Sequence, residues 1–361
     1  MKVRFKFIYL LLSIVSFANA QIVKYSNEFL AIGVGARAMA MGTSVSSSTN
    51  DVTAGYWNPA GILGIKSNLQ VGLMHSEYFA GIAKYDYGAI GIKIDSNSAA
   101  SASFIRFGVD NIANTLQLID ANGNVDYDKI SKFNVTDFAG LLSYARKLNK
   151  LKGFEIGSSA KIIRRRIGDF GGAWGFGIDV GANYQIKKLR ISAVGRDITG
   201  TFNAWSYNLT EETKQVFSQT GNAIPKNSVE VTMPRLVLGI SREFDLWKNK
   251  FHLLTEFNLI NTFDGRRNVL IRTNSLSSDP VFGMELSYLK MIFLRFGINN
   301  IQRYTDIQRQ SKTSVQPGIG IGINYKGFSL NYAFTDLGDA SIAPYSNVFS
   351  LNVNINKKSK Q

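Results

Sequence analysis

Three stretches of this sequence contain residue types that could bind a nucleotide, a metal ion or a phosphate. The first, Gly33–Ala38 (GVGARA), fits the G-x-G-x-x-G/A string whose backbone cradles a dinucleotide phosphate. That chemistry requires a strand, a turn and a helix within a βαβ unit, and the sequence downstream indicates successive strands instead. The pattern therefore favours turn or packing glycines over a nucleotide site.

The second stretch, Asp120–Asp126, resembles a calcium-binding loop in its acidic and amide side chains. The sixth position of such a loop requires glycine and the twelfth requires glutamate, but this sequence has Val125 and Ser131 there. A solvated loop with a turn at Asn122-Gly123 is the better interpretation. We predict no metal site in this stretch.

The third stretch is basic. Lys161 and the run Arg164, Arg165 and Arg166 end a predicted strand beside a predicted outer loop. The three arginines could hold the phosphates of lipopolysaccharide. A solvated strand end is the alternative that the sequence leaves open.

Catalysis has no support in the sequence. Histidine occurs only at His75 and His252, each alone in a strand pattern, and cysteine is absent. Neither a G-x-S-x-G motif nor an H-E-x-x-H motif is present. We therefore predict a protein that is not an enzyme and that uses no metal and no cofactor.

Residues 1–20 predict export from the cytoplasm. A basic start (KVRFK) precedes the apolar run Phe7–Phe17, and Ala18–Ala20 supplies the small residues of a cleavage site. These features predict a secretory signal peptide cleaved after Ala20. The apolar run is shorter than the roughly 20 residues that a membrane-spanning helix needs.

The formal net charge of +15 predicts attraction to phosphate-rich partners. Export excludes nucleic acid, so outer-membrane lipid and lipopolysaccharide are the expected partners. Charged residues make up 19% of the chain and aromatic residues 12%, with 33 glycines. This composition suits a membrane barrel better than a soluble enzyme.

Period-two alternation dominates the chain from about residue 68 onward and predicts strands. In one clear case Trp174, Phe176 and Ile178 lie on one face, and Gly175 and Gly177 lie on the other. The second face is mostly Gly, Asn and Ser rather than the Lys and Glu of a sheet exposed to water. The pattern predicts an all-β fold, a transmembrane antiparallel β-barrel with apolar side chains facing lipid and small polar ones facing the lumen.

The alternating segments predict about fourteen strands, an even number as such barrels require. We place them at 68–78, 83–94, 99–108, 135–148, 153–166, 173–186, 189–198, 233–244, 251–261, 281–288, 291–299, 315–325, 327–336 and 346–355. Short turns alternate with long links at 109–134, 199–232, 262–280 and 300–314, which is the habit of outer-membrane barrels.

Four parts of the chain follow from this interpretation. They are a signal peptide (1–20), an irregular N-terminal hatch or plug (21–65), the barrel (66–356) and a basic C-terminal tail (357–361). We predict that both ends of the barrel wall lie on the periplasmic side of an outer membrane.

Two motifs in the predicted hatch resemble the PorV/PorQ family of outer-membrane barrels. They are Ala36-Arg37-Ala38 with Met41-Gly42, and Trp57-Asn58-Pro59-Ala60. The resemblance implies a barrel like that of the FadL transporters, with a hatch. It also implies a role in the type IX secretion system. Barrels of this family bind the secreted cargo proteins, which carry a C-terminal sorting domain.

Candidate site residues fall in two regions besides the arginine run. The hatch candidates are Gly35, Arg37, Gly42, Asp51, Trp57, Asn58 and Pro59, and we predict an ion pair between Arg37 and Asp51. The partner-loop candidates in 199–232 are Phe202, Trp205, Glu211 and Glu212. In that loop 210–218 is predicted to be a short helix capped by Asn208.

Two classes of function remain open. The first is an interaction protein whose outer loops hold secretion components or secreted cargo. The second is a FadL-like transporter that passes hydrophobic molecules through a hatch-blocked lumen. The predicted lumenal faces of Gly, Asn and Ser offer no apolar pocket, which favours the first class. A porin for polar solutes would require a hatch that is absent or mobile.

Overall fold

The computed structural model describes residues 21–22, 26–79, 81–119, 123–305, 308–335 and 346–356. The predicted signal peptide (1–20), the basic tail (357–361) and Asp120 of the calcium-like stretch lie outside the described residues. No helix among the described residues is long and apolar enough to cross a membrane.

Fourteen antiparallel strands form a closed barrel in the described part of the chain. The first seven are β1 (Leu69–Tyr78), β2 (Ala83–Lys93), β3 (Ser98–Asn114), β4 (Ser131–Lys147), β5 (Phe154–Ile167), β6 (Gly171–Ile186) and β7 (Leu189–Arg196 and Thr201–Tyr207). The others are β8 (Ser228–Thr232 and Arg235–Leu246), β9 (Phe251–Thr262), β10 (Ser277–Tyr288), β11 (Ile292–Thr305), β12 (Ser311–Tyr325), β13 (Phe328–Thr335) and β14 (Ser346–Ile355). Short strands at Gln21–Ile22 and Ile271–Arg272 pair with β8 and β10.

The barrel closes between its last strand and its first, where Phe349 of β14 pairs with His75 of β1. Closure leaves no sheet edge, so the backbone groups of the wall bond to neighbouring strands. The prediction of a barrel of about fourteen strands is confirmed, and each predicted strand overlaps one in the structure.

Several strands continue into links that the sequence predicted to be loops. Strand β3 runs to Asn114 and β11 to Thr305, because each contains an irregularity that the pairing tolerates. The register shifts between Val109 and Ile112 in β3, and between Asn299 and Gln302 in β11. An extra residue reverses the inward and outward phase, so the period-two pattern ends before the strand does. Likewise β7 and β8 extend into 199–232.

Apolar side chains form the outer surface of the wall. Trp174 is 59% exposed and Ile321 is 52% exposed, whereas their neighbours Ala173 and Gly322 are buried on the inner face. The same alternation recurs on the other strands, as the sequence predicted.

The two ends of the barrel differ in the length of their links. Short links at 94–97, 148–153, 187–188, 247–250, 289–291 and 326–327 define what we call the turn end. Longer links, including 115–130, 208–227 and 263–276, lie at the opposite end, called the loop end. A helix, Glu211–Gln219, lies in the link 208–227 and is exposed.

Residues 26–65, called the N-terminal segment, lie inside the barrel. The segment contains the helices α1 (Ala36–Ala40) and α2 (Ala54–Trp57), so the helix Glu211–Gln219 is α3. It also contains 3-10 turns at Glu28–Leu30 and Pro59–Gly64. Helix α1 contacts β11 to β14. The turn Pro59–Gly64 contacts β3 to β6, on the opposite side of the lumen.

Glycines on the inner face allow this close packing. A Cβ at Gly297 of β11 would lie 2.0 Å from the backbone of Met41 and Gly42. A Cβ at Gly157 of β5 would lie 2.5 Å from the backbone of Pro59 and Ala60. No side chain fits at either distance, so glycine is required where the segment meets the wall.

Candidate binding site in the barrel lumen

The N-terminal segment divides the lumen into two unlike parts. On the loop side its apolar side chains join aromatic residues of the wall in one buried cluster. On the turn side lies a cavity of about 910 Å³ whose lining includes many polar and charged residues. The two parts of the lumen therefore differ in chemical character.

Strands β1 to β3 supply the wall of the loop-side part. Tyr78, Tyr85 and Phe107 form edge-to-face pairs, with ring centroids 6.4 Å apart for Tyr78–Tyr85 and 6.0 Å for Tyr85–Phe107. Phe29 and Leu30 of the N-terminal segment belong to the same buried cluster. We call these five residues the aromatic cluster. Its rings pack against one another and make this part of the lumen apolar.

The sequence analysis missed this cluster because it treated the lumenal face as uniformly small and polar. That description holds near β13, where Asn331 faces inward, but it fails at β2. There Tyr85 and Tyr87 face inward while Ile90 and Ile92 face outward, so both faces of the strand are apolar. In the sequence, the alternation Tyr85-Asp86-Tyr87 was the sign that aromatic side chains share the inner face of this strand.

Arg165 lies beside the aromatic cluster and not on the outer surface. Its guanidinium donates to both carboxylate oxygens of Asp137, at 2.9 and 3.1 Å, and lies 5.0 Å from the ring centroid of Trp205. It also lies 5.9 Å from the ring of Phe29. The predicted contact of Arg165 with lipopolysaccharide is therefore wrong, because alternation along β5 turns its side chain into the lumen.

The two neighbouring arginines remain candidates for that contact. Arg164 lies over the ring of the exposed Trp174, at 5.1 Å, and Arg166 is exposed beside Asp169. Lys161, on the lumenal face of β5, is buried and pairs with Asp179 and Asp197.

The partner-loop candidates do not all lie on the same side of the barrel wall. Trp205 lies in β7, only 7% exposed, with its ring stacked on Tyr207 at 5.8 Å. It therefore belongs to the lumen and not to an outer loop, since the strand continues further than its sequence pattern indicated. Phe202 faces outward from the same strand.

Glu211 and Glu212 are exposed at the start of α3. The helix predicted at 210–218 is confirmed, but its cap is Thr210 and not Asn208. The Thr210 hydroxyl accepts a hydrogen bond from the backbone N–H of Thr213 at 3.2 Å. Thr210 directly precedes the first helical turn, the position from which a side chain reaches that donor.

A partly buried ion pair attaches the N-terminal segment to the wall. Arg37 Nε donates to Glu285 Oε2 at 2.9 Å, and Arg295 Nε donates to the same oxygen at 2.6 Å. Burial opposes the charge of Arg37, but Glu285 more than offsets this, and the pKa of Arg37 is raised. The predicted pair between Arg37 and Asp51 is wrong, because Asp51 accepts hydrogen bonds from Thr53 instead.

Trp57, Asn58 and Pro59 form a corner inside the barrel. Asn58 Nδ2 donates to the backbone oxygen of Ser46 and to Asn183 Oδ1 of β6, both at 2.7 Å. Asn58 Oδ1 accepts from the backbone N–H of Ala60, which caps the turn begun by Pro59. The indole of Trp57 donates to the backbone oxygen of Val34 at 2.8 Å. The side-chain N–H groups of Trp57 and Asn58 and the backbone N–H of Ala60 therefore all have acceptors within the barrel.

The glycines of the predicted hatch take conformations that other residues adopt with strain. Gly35 has φ 87° just before α1, and Gly42 has φ 58° just after it. A Cβ at Gly42 would also lie 2.5 Å from the backbone nitrogen of Ile298. The Ala-Arg-Ala helix is thus bounded by glycines that turn the chain within the lumen.

A carboxylate of the wall supports the next part of the segment. Glu256 of β9 is buried and accepts hydrogen bonds from the backbone N–H groups of Ser47, at 2.7 Å, and Ser48, at 3.0 Å. The Ser46 and Ser192 hydroxyls lie 2.8 Å apart and join the segment to β7. The segment is therefore bonded to strands on several sides of the lumen.

The turn-side cavity contains the one group of described residues whose donor atoms lie close enough together to share a metal ion. His252 Nδ1 lies 2.9 Å from Asp245 Oδ1 and 3.4 Å from Glu243 Oε1. Lys188 pairs with Asp245, and Lys290 with Glu243. These ammonium groups neutralise both carboxylates, which makes the group a closed ion-pair network. The other histidine, His75, pairs with Asp86 near the loop end.

Several solved structures that are similar to this chain are hydrocarbon transporters or channels. The chain is similar to the toluene transporter TodX of Pseudomonas putida, with a TM-score of 0.57 and 12% identity over 94% of this chain and 100% of that chain. It is similar to the toluene transporter TbuX of Ralstonia pickettii, with a TM-score of 0.55 and 13% identity over 90% of this chain and 99% of that one.

A FadL homologue of Pseudomonas aeruginosa has a TM-score of 0.50 and 12% identity, over 89% of this chain and 98% of that chain. At these identities the likeness shows a shared fold. No protein-family model matches the sequence, and no curated protein matches it.

Proposed function

We propose that this protein is an outer-membrane barrel that passes small hydrophobic molecules through its lumen. The observation that carries the proposal is the buried aromatic cluster on the loop side, inside a barrel with the fold of TodX and TbuX. An apolar outer wall fits a lipid environment, and the predicted signal peptide fits export to the outer membrane.

The N-terminal segment acts as the hatch in this proposal. It lies between the wall residues of the aromatic cluster, Tyr78, Tyr85 and Phe107, and the turn-side cavity. Its contacts with Glu256, Glu285 and Asn183 hold it there. A small molecule therefore passes only when part of the segment moves. Because many polar and charged residues line the turn-side cavity, the molecule leaves the apolar part of the lumen directly into a hydrated compartment.

The test is uptake of radiolabelled toluene by cells that lack other hydrocarbon channels and express this protein. We expect uptake above that of cells with an empty vector, and no gain for a sugar of similar size. Toluene uptake equal to the empty vector, with the barrel folded in the outer membrane, would overturn the proposal.

A second candidate function is the binding of secreted proteins, as in the PorV/PorQ family and type IX secretion. What favours it is the occupied lumen. Both motifs of the resemblance, Ala36–Gly42 and Trp57–Ala60, lie in the segment that fills the barrel, and the exposed helix α3 presents Glu211 and Glu212 at the loop end. An interaction protein needs no open route through its lumen.

Purification from native membranes in mild detergent, followed by mass spectrometry, separates the two functions. Stoichiometric secretion subunits, or exported proteins with a shared C-terminal domain, would favour the second candidate. A barrel that is purified alone and carries a lipophile would favour transport.

A further inference from the structure

Charged side chains lie on the outer face of the wall at one place where contact with lipid is expected. Strands β1, β2 and β3 turn six of them outward, with side chains between 29% and 56% exposed. They are His75, Glu77, Lys84, Asp86, Arg106 and Asp110, which we call the charged patch. Their neighbours along the strands, such as Ser76 and Tyr85, are buried on the inner face.

The charged patch is an ion-pair network within one chain. His75 Nδ1 lies 2.7 Å from one carboxylate oxygen of Asp86, and the Arg106 guanidinium lies 3.3 Å from the other. Lys84 and Arg106 each lie 3.6 Å from Asp110. Glu77 has no basic side chain within 4.0 Å among the described residues other than His75, at 3.8 Å. The patch therefore carries both signs of charge, and one carboxylate is only weakly compensated.

Strands β1 and β2 are too short to place the charged patch clear of the membrane. They contain 10 and 11 residues, and a strand needs about 9–11 residues to cross a bilayer. On β1 the outward apolar residues run only from Leu69 to Leu73, whereas the outward residues of β6 carry no charge from Trp174 to Ile186. A charged side chain that faces lipid is destabilising, so we expect protein to cover the patch.

The tip of the hairpin between β1 and β2 is apolar. Phe79 is 56% exposed and Ile82 is 65% exposed, in the link 79–82 beyond the charged patch. The order from the turn end is therefore apolar, charged and apolar. A hairpin surrounded by lipid has a single apolar band with polar ends, whereas a protein interface combines apolar and charged groups.

We propose that the charged patch is the interface with a second copy of this chain in the same membrane. An interface between two identical copies brings the same surface of each together, so that surface has to be complementary to itself. Both copies have the same end facing outward, so the two-fold axis is parallel to the membrane normal. An axis through β2 places β1 of one copy opposite β3 of the other, and Glu77 then faces Arg106 of the second copy.

The mixture of charges favours this occupant over lipid. A head group of one sign would leave the opposite charges of the patch uncompensated, whereas a second copy supplies both signs. The interface requires the membrane location in the proposed function but not transport. A failure to carry toluene would therefore leave it unaffected.

The test measures the oligomeric state of the full-length protein, by native mass spectrometry after extraction in mild detergent and by cross-linking in the outer membrane. We expect the wild type to be a dimer. The variants E77K and R106E should each weaken dimerisation by more than about tenfold, because like charges that face each other across an interface oppose association. The double variant E77K/R106E should restore the dimer, since it exchanges the two charges.

Rescue by the double variant separates a contact between copies from a role within one barrel. In R106E the new carboxylate lies beside Asp86 and Asp110 of its own chain, and the double variant keeps that repulsion. The control R242E reverses an exposed arginine on β8, across the barrel from β2, and should remain a dimer. Heat-modifiable mobility on a gel confirms that each variant is folded.

Three results would overturn the proposal. They are a wild type that is monomeric in both measurements, a folded double variant that stays monomeric, and a loss of the dimer in R242E equal to that in E77K. The first depends on no variant, so it holds even if R106E does not fold. A monomeric wild type that captures a different protein through β1–β3 would also overturn it and assign the patch to that protein.

Discussion

Arg37 of the N-terminal segment and Glu285 of the barrel wall form an ion pair at 2.9 Å inside the lumen. They are separated by 248 positions in sequence, and Arg295 donates to the same carboxylate from the next strand. One carboxylate thus joins the segment to two adjacent strands.

Glu285→Gln should loosen the segment. The change leaves Arg37 and Arg295 together in the lumen without their counter-charge. Breaking a fully buried pair costs about 3–5 kcal/mol, and because Arg37 is 22% exposed we expect a smaller loss here. We expect a lower thermal midpoint and faster protease cleavage within 26–65. Glu211→Gln is the control, since Glu211 is exposed on α3 and pairs only with Lys214 among the described residues. Equal effects of the two variants would contradict this role for Glu285.

Gly157→Val should displace the Pro59 corner. The new side chain would begin 2.5 Å from the backbone of Pro59 and Ala60, which cannot both give way while the corner stays in place. We expect greater toluene uptake and a measurable ion conductance in planar bilayers. Gly140→Val is the matched control, because a Cβ at Gly140 meets no atom within 4 Å. A conductance as low as that of the control would show that the corner does not close the lumen.

Asn58→Leu should destabilise the folded state. The substitution leaves the backbone oxygen of Ser46, the amide of Asn183 and the N–H of Ala60 without their partner. Each unsatisfied buried group costs about 1–3 kcal/mol. Chemical unfolding should detect this loss. Asn208→Leu, at an exposed position, should change the midpoint little, and similar midpoints for the two variants would refute the prediction.

Phe107→Ala should weaken binding of toluene. The variant removes one ring of the aromatic cluster, and an aromatic pair contributes about 0.5–1.5 kcal/mol beyond its area, or roughly a twofold to tenfold change in affinity. Fluorescence titration of the purified protein measures the change, since Trp205 lies near the cluster. Tyr127→Ala removes a ring from an exposed loop and should leave the affinity unchanged. An unaltered affinity in the Phe107 variant would place the binding site elsewhere.

Alternation in the sequence was sufficient to predict the barrel, because the period-two pattern depends only on which face each residue takes. Bulges ended the prediction too early at Val109 and Asn299, since they reverse that phase within a continuous strand. The glycines of the inner face, such as Gly157 and Gly297, were visible as small residues. The sequence did not show which part of the chain packs against these glycines, because that contact depends on the fold.

Long-range pairs were beyond the sequence. Asp51 was a candidate for Arg37 from within the same segment of the chain, whereas Glu285 is brought to it by the closure of the wall. Trp205 and Arg165 were placed outside because local patterns do not show how far a strand continues or which face a charged residue takes. The aromatic cluster was missed for a related reason, since Tyr85 and Tyr87 alternate in a strand whose two faces are both apolar.

The measurement that tests the central claim most directly is toluene uptake through a barrel whose N-terminal segment is locked by a disulfide. The chain has no cysteine, and the hydroxyls of Ser46 and Ser192 lie 2.8 Å apart, so S46C/S192C can join the segment to β7. We predict that oxidation abolishes uptake, that a reductant restores it, and that both single-cysteine variants are insensitive to either treatment. Equal uptake by the oxidised and reduced forms, with the disulfide verified by mass spectrometry, would contradict a hatch that moves to admit hydrophobic molecules.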